Sequence, residues 1–260
     1  MDFSRVIIFS FIFIIFSQTF AQNVDRPVNE FRSDDMYEYR PNYFIYGKPD
    51  TKIQFSFKFK TREDSHLFFA YTQIMFWELG RKSSNPFSEI NYNPEAFYQF
   101  KVPESAYFQE YNVGYSHLSN GKADQDSRSV DAITADLRGG ERVKKLDIYF
   151  TVRLQFQFNQ DETNKDIVDY YGPISLKVYF DRVAEKVFNG EELYFEYYNG
   201  GKFAENFSRS SYRVSLRAQP WDNKSKLKLF LQYFNGYAEK LSSYDQKDET
   251  YRIGLSLGVI

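Results

Sequence analysis

Between Lys145 and Phe158 the side chains alternate without a break. Leu146, Ile148, Phe150, Val152, Leu154 and Phe156 fall on one side, and Asp147, Thr151, Arg153, Gln155 and Gln157 fall on the other. A chain with a side-chain period of two has one apolar and one polar face as a β-strand, and neither as a helix. The pattern recurs from Lys52 to Lys60, where Ile53, Phe55, Phe57 and Phe59 oppose Gln54, Ser56, Lys58 and Lys60. It recurs again through Tyr251, Ile253, Leu255, Leu257 and Val259. The fold class is therefore all-β.

Eleven such segments follow Asp50, near residues 52–60, 66–77, 95–101, 108–119, 130–138, 145–158, 173–181, 192–198, 211–218, 227–234 and 249–259. The connections at 61–65, 102–107, 139–144, 182–191 and 219–226 are the shorter set. Those at 78–94, 120–129, 159–172, 199–210 and 235–248 are longer. Short and long alternate, as they do when tight turns lie on one side of a membrane and long loops on the other. Segment 52–60 runs into a short turn, so an earlier strand has to carry the chain to the long-loop side. Asn42-Tyr43-Phe44-Ile45-Tyr46 supplies it and brings the count to twelve, even as in single-chain bacterial barrels. The expectation is a transmembrane antiparallel β-barrel of twelve strands rather than a soluble sandwich.

Composition agrees with that choice. The chain has 28 Phe and 22 Tyr beside 26% charged residues, and its mean hydropathy is −0.58. A chain polar on average yet crowded with aromatics fits a barrel with aromatic girdles outside and a polar lumen inside. A net charge of −2 gives no electrostatic footing for nucleic acid. With no Cys there is no disulfide and no thiolate metal site. Arg5, the apolar run Val6 to Phe16 and the small-residue site Thr19-Phe20-Ala21 read as a signal peptide over residues 1–21. That run is too short for the roughly 20 residues of a membrane-spanning helix. The barrel domain is expected over 22–260, with a polar lead at about 22–40, in a bacterial outer membrane.

The chain has two histidines, and His117 sits where a strand enters a long loop. Tyr111, Val113, Tyr115, His117 and Ser119 share the apolar, lipid-facing side by period-two counting. Polar groups facing lipid cost several kcal/mol unless paired, so a histidine and a serine there need a purpose. Residues two apart on a strand lie roughly 6.7 Å apart at Cα, within reach for an imidazole to serve as base to a serine nucleophile. Asp131 lies across the hairpin, in phase with Ile133, Ala135 and Leu137, and can orient the ring.

The longer run decides how that pair is read. Gly114-Tyr115-x-His117-x-Ser119-Asn120-Gly121, followed by Ser127-Arg128-Ser129, resembles the signature of the outer membrane phospholipase A family. Asn42-Tyr43, Tyr71-Thr72-Gln73, Pro86-Phe87, Asn91-Tyr92-x-Pro94 and Tyr170-Tyr171-Gly172 resemble its other landmarks, so the likeness covers most of the chain after residue 40.

The resemblance implies a calcium-dependent phospholipase, with A1 and A2 activity on phospholipids and lysophospholipids and its active site toward the outer leaflet. Ser119 matches the nucleophile, with its backbone N–H in the oxyanion hole, and His117 matches the general base. Ser127 and the Lys122 carbonyl match ligands of a catalytic Ca²⁺, and Asp124 matches a loop carboxylate associated with it. Asp161 or Glu162 matches another carboxylate; each reads equally as solvated charge. The family works as a homodimer, with acyl pockets between two barrels. Ser84 matches the residue whose carbonyl reaches the partner's calcium, and Gln73 a polar residue in the dimer interface. At the position of Asp131 the family's pattern carries Asn, which puts the electrostatics of the catalytic unit in question. The competing readings are a small non-enzymatic porin and another outer-leaflet acyl hydrolase, such as one that deacylates lipid A.

Overall fold

The computed structural model describes residues 36–102, 107–143, 145–181, 189–201, 207–220 and 225–257. The expected signal peptide and most of the expected polar lead lie outside the described residues. The strands are β1 (Met36–Glu38), β2 (Asn42–Lys48), β3 (Thr51–Lys60), β4 (Leu67–Trp77), β5 (Phe87–Lys101), β6 (Phe108–Ser119), β7 (Ser129–Val143), β8 (Leu146–Phe158), β9 (Ile174–Asp181), β10 (Asn189–Tyr198), β11 (Ser211–Gln219), β12 (Leu227–Gly236) and β13 (Asp248–Leu257). From β2 onward each strand pairs antiparallel with the next. β2 also pairs with β13, from Asn42↔Leu257 to Lys48↔Tyr251, which closes the sheet. β1 lies on β3 beyond β2, with Met36 opposite Phe59. β1 and β2 are thus two pieces of one wall position, interrupted at Tyr39-Arg40-Pro41, and the barrel has twelve strands.

Side-chain parity follows the sequence. The odd residues of β6, β7 and β13, and the even residues of β8, point outward. Ile133, Leu154, Phe156, Tyr251 and Ile253 are exposed on that outer wall. Aromatic rows band it at both ends. Tyr212, Tyr233 and Tyr251 line up across β11–β13, and Tyr98, Phe100 and Tyr111 across β5–β6, with Phe100 stacked on Tyr111 at 4.6 Å. The opposite parity fills the lumen with ion pairs. Arg153 bridges Asp136 and Glu95, Lys177 and Arg213 share Glu196, and Arg217 and Lys228 share Glu192. A charge inside such a wall is tolerated only when paired.

β5 and β7 are the strands that most exceed their sequence ranges. β5 begins at Phe87, not 95, so the long loop is 78–86 rather than 78–94. Glu89, Asn91, Asn93 and Glu95 are polar but buried, because they are the lumen-facing half of the strand. β7 runs to Val143 and β8 begins at Leu146, so strand occupies most of the turn expected at 139–144. Gly139 and Gly140 look like turn residues but lie in the wall. A Cβ on Gly139 would stand 2.1 Å from the Tyr107 carbonyl and 2.6 Å from the Phe150 ring, so the sheet needs the missing side chain there.

The loops 78–86, 120–128, 159–173 and 237–247, with the described ends of 199–210, lie at one end of the barrel. Ile167, Leu241 and Tyr244 from these loops bury against Val130, with Leu118 packed alongside. Loop 237–247 is further held from inside the barrel, where Glu89 accepts from the N–H groups of Leu241 and Ser242. Glu239 meets Lys52 at 3.0 Å and Arg252 at 2.7 Å, all three side chains fully buried. Removing one member of such a cluster strands the others, so Glu239→Ala is expected to cost about 3–5 kcal/mol. The exposed Arg62–Asp64 pair is the control, and Asp64→Ala should shift stability by under about 1 kcal/mol. Equilibrium urea unfolding in detergent micelles measures both.

Candidate active site

β6 and β7 reach the long-loop end side by side, and their register places His117 directly opposite Asp131. Ser119 lies opposite Ser129 one step further along. Leu118 turns inward to the apolar plug, so His117 and Ser119 emerge on the outer wall, as parity predicts. His117 Nδ1 lies 2.7 Å from Asp131 Oδ1. A carboxylate accepts from Nδ1–H, which leaves Nε2 as the ring's free acceptor. The Tyr115 hydroxyl also donates to Asp131 Oδ1 at 2.7 Å, and Asn159 Nδ2 donates to Oδ2 at 2.7 Å. Among the described residues no hydrogen bond joins His117 to Ser119.

β5 holds the other side of His117. The register that pairs Tyr92 with Ser119 and Glu95 with Ser116 brings Pro94 opposite His117, yet those two are not ladder partners. Proline has no N–H to give the ladder. Asn93 fills the deficit: its side-chain amide donates to the His117 carbonyl at 2.9 Å and to Ser116 Oγ at 2.8 Å. The Asn91-Tyr92-x-Pro94 landmark therefore has a local physical role, which periodicity alone did not reveal.

Beyond Ser119 the chain turns through a loop closed by one residue. Asn120 Oδ1 accepts from the backbone of Lys122 and Arg128, and Asn120 Nδ2 donates to the Asp126 carbonyl. Gly121 takes φ +64 with the Tyr92 ring 2.7 Å from where a Cβ would sit, so only glycine fits. At the far end of this loop the Ser127 hydroxyl donates to Asp161 Oδ2 at 2.7 Å. Asp161 Oδ1 accepts from the Thr163 N–H, and the single hydroxyl hydrogen of Thr163 is shared between the Ser127 carbonyl and Asp161 Oδ1. The hydrogen bond from Ser127, followed by the one from the Thr163 N–H, holds the Asp161 carboxyl below its ordinary pKa.

Asp161 and Glu162, which the sequence leaves as equivalent solvated charges, are thus distinguished. Asp161 is tied to Ser127, whereas the Glu162 side chain is 92% exposed. Lys122 and Asp124 are exposed on loop 120–128, Asp124 at φ 54. Ser84 is exposed on loop 78–86, and among the described residues no hydrogen bond links it to loop 120–128. Ser127, Asp161 and the neighbouring carbonyls offer only hard oxygen donors, the chemistry that suits Ca²⁺.

The sequence pattern of the Phospholipase A1 family matches residues 9–257, nearly the whole chain. The chain belongs to the Phospholipase A1 family. A putative phospholipase A1 of Neisseria meningitidis serogroup B is 31% identical over 222 residues, which cover 80% of this chain and 54% of that protein. The chain thus spans about half the length of that relative. Outer membrane phospholipase A from Escherichia coli has the same fold, with a TM-score of 0.74 at 23% identity, covering 86% of this chain and 99% of that one. The calcium-bound dimer of the Salmonella typhi outer membrane phospholipase superposes with a TM-score of 0.71 at 23% identity, covering 89% and 95%. The family that the Gly114–Gly121 run resembles is the family to which the chain belongs.

Within this phospholipase-family barrel the Ser127–Asp161 contact makes its own prediction. Ser127→Ala removes the largest cause of the depressed Asp161 pKa, so the carboxyl should titrate at higher pH in the variant than in the parent. Carbon-detected NMR of the calcium-free protein, with Asp161 assigned by an Asp161→Asn control, reads this directly. Identical titrations would show that the hydroxyl does not stabilise the charge.

Proposed function

We propose that the chain is a calcium-dependent outer-membrane phospholipase, which cleaves acyl ester bonds of phospholipids and lysophospholipids at either glycerol position. The observation that carries this reading is the Asp131–His117 bond of 2.7 Å on the lipid-facing wall, two residues from Ser119 on the same face. A histidine oriented by a carboxylate and adjacent to a serine is the arrangement a nucleophile needs.

In the proposed mechanism Ser119 Oγ attacks the ester carbonyl carbon as His117 Nε2 takes its proton. The ester C–O bond then breaks, and His117 returns the proton to the departing glycerol oxygen. A water, deprotonated by His117, hydrolyses the acyl-serine and restores both residues. The Ser119 N–H donates to the oxyanion, a contribution typically worth about 10²–10³ in rate. Ser127, Asp161 and the Lys122 carbonyl, with Asp124 on the same loop, would hold calcium, whose positive charge would stabilise a developing oxyanion.

An apolar groove of about 420 Å³ on the outer wall, lined by Val113, Ile133, Ala135, Leu154 and Phe156, gives an acyl chain a place to lie. Ile133 is the next outward residue after Asp131, so groove and base are contiguous. The ion-paired lumen speaks against a porin. The dimer, with Ser84 reaching the partner's calcium and Gln73 at the interface, is proposed from the Ser84 and Gln73 matches and from the Salmonella typhi dimer with bound calcium.

Ser119→Ala and His117→Ala should each lower fatty-acid release from phospholipid micelles by at least about 10⁴-fold while the barrel stays folded. Chelation should abolish turnover and shift crosslinking toward monomer, because an ion shared by two chains stabilises their association. Mass spectrometry of the products separates phospholipid cleavage from lipid A deacylation. Substantial hydrolysis by Ser119→Ala, or full activity in excess chelator, contradicts the proposal.

A further inference from the structure

Three donors converge on the Asp131 carboxylate. His117 Nδ1 and the Tyr115 hydroxyl are each 2.7 Å from Oδ1, and Asn159 Nδ2 is 2.7 Å from Oδ2. A carboxylate only accepts, so it satisfies all three at once. An amide at 131 would offer one oxygen and two N–H donors, and its nitrogen would meet the Asn159 nitrogen donor to donor. Asn159 is also placed by its backbone. It is the residue at which the chain leaves β8, at φ 52, a left-handed conformation in which Asn and Asp are enriched. Tyr115 stands on the outward face of β6 beside His117, one pleat below it.

We infer that Asn159 and Tyr115 are positioning residues of the hydrolytic site, and that Asn159 and Asp131 form a matched donor–acceptor pair that holds His117 in the Nδ1–H tautomer. The inference rests on the hydrolase reading above. Neither residue touches the substrate. Asn159 acts through Oδ2 of Asp131, Tyr115 through Oδ1, and both fix the plane in which the carboxylate meets the imidazole.

Exchanging the pair tests it. Asn159→Asp keeps a residue suited to the left-handed backbone but sets two carboxylates about 3 Å apart, and such neighbours do not both ionise. Their shared proton competes with the imidazole for Asp131. A wrong histidine tautomer costs up to about 10⁴ in kcat in a serine hydrolase, so a loss of at least about 100-fold is expected, with KM nearly unchanged. In the double variant Asp131→Asn with Asn159→Asp, the new amide donates to the new carboxylate and its oxygen accepts from Nδ1–H. Activity should return to within about tenfold of the parent, as expected of residues that act as a unit. The calcium concentration for half-maximal activity should stay the same in all variants, which separates Asn159 from its neighbour Asp161.

The tautomer is read without turnover. In a His66→Gln background one imidazole remains, and its ¹⁵N spectrum reports the Nδ1–H population. That population should fall in Asn159→Asp and recover in the double variant. An Asn159→Asp protein with parental tautomer and kcat overturns the inference, as does a double variant no better than Asn159→Asp. If Ser119→Ala hydrolyses lipid like the parent, the reading of Ser119 as nucleophile falls, and the imidazole spectra still decide whether Asn159 and Asp131 are matched.

Discussion

The pairing of β2 with β13 is the constraint from which the rest of the molecule follows. In hydrocarbon, each backbone N–H or C=O without a partner costs several kcal/mol, and a sheet escapes that cost only by having no edge. Once the sheet closes, every wall strand has a fixed neighbour on both sides and its register cannot drift. A slip of one residue would turn Arg153, Lys177 and Arg213 toward lipid and Phe156 into the lumen, reversing both faces at once. One closure therefore determines, for each strand, which side chains meet lipid and which meet one another.

That determination is what gives the candidate active site its unusual setting. Ser116 and Leu118 point inward, to Asn93 and to the apolar plug, while His117 and Ser119 on the same backbone point outward. The plug residues Ile167, Leu241 and Tyr244 and the buried cluster of Lys52, Glu239 and Arg252 make the interior behind them solid. A site built on paired strands over a packed interior holds its geometry better than one built on loops. The proposed chemistry would thus sit on the outer side of a rigid wall, beside a groove of apolar side chains that a membrane lipid could reach by lateral diffusion.

Much of this was legible in the sequence because strand parity is a local property. Leu146 to Phe158 announces its two faces without knowledge of any partner, and the Gly114–Gly121 run carries the family. The unread parts are those in which distant segments complete one another. The first half of β5 does not read as strand because Asn91, Asn93 and Pro94 look like loop residues, and only a polar lumen makes them strand residues. Gly139 and Gly140 look like a turn until the Phe150 ring is seen to need their space. Asp161 could not be told from Glu162, since the distinction is a hydrogen bond to a serine 34 residues earlier. Asn159 carried no signal, because its target Asp131 is 28 residues away on another strand.

The backbone around His117 shows how these separate features serve one atom. A proline opposite the proposed catalytic histidine opens the ladder where rigidity is most needed. The Asn93 amide closes it again by donating to the His117 carbonyl, and the same amide donates to Ser116 Oγ on the inward face. Asp131, braced by Tyr115 and Asn159, fixes the imidazole from the opposite strand. Main chain and ring of His117 are thus held from two sides, by β5 and by β7. The Ser119 hydroxyl, by contrast, has no hydrogen bond among the described residues. On the proposed reading the base is immobilised and the nucleophile is left to choose its partner, an asymmetry that would suit a hydroxyl that must face the imidazole while giving up its proton and the ester carbon when it attacks.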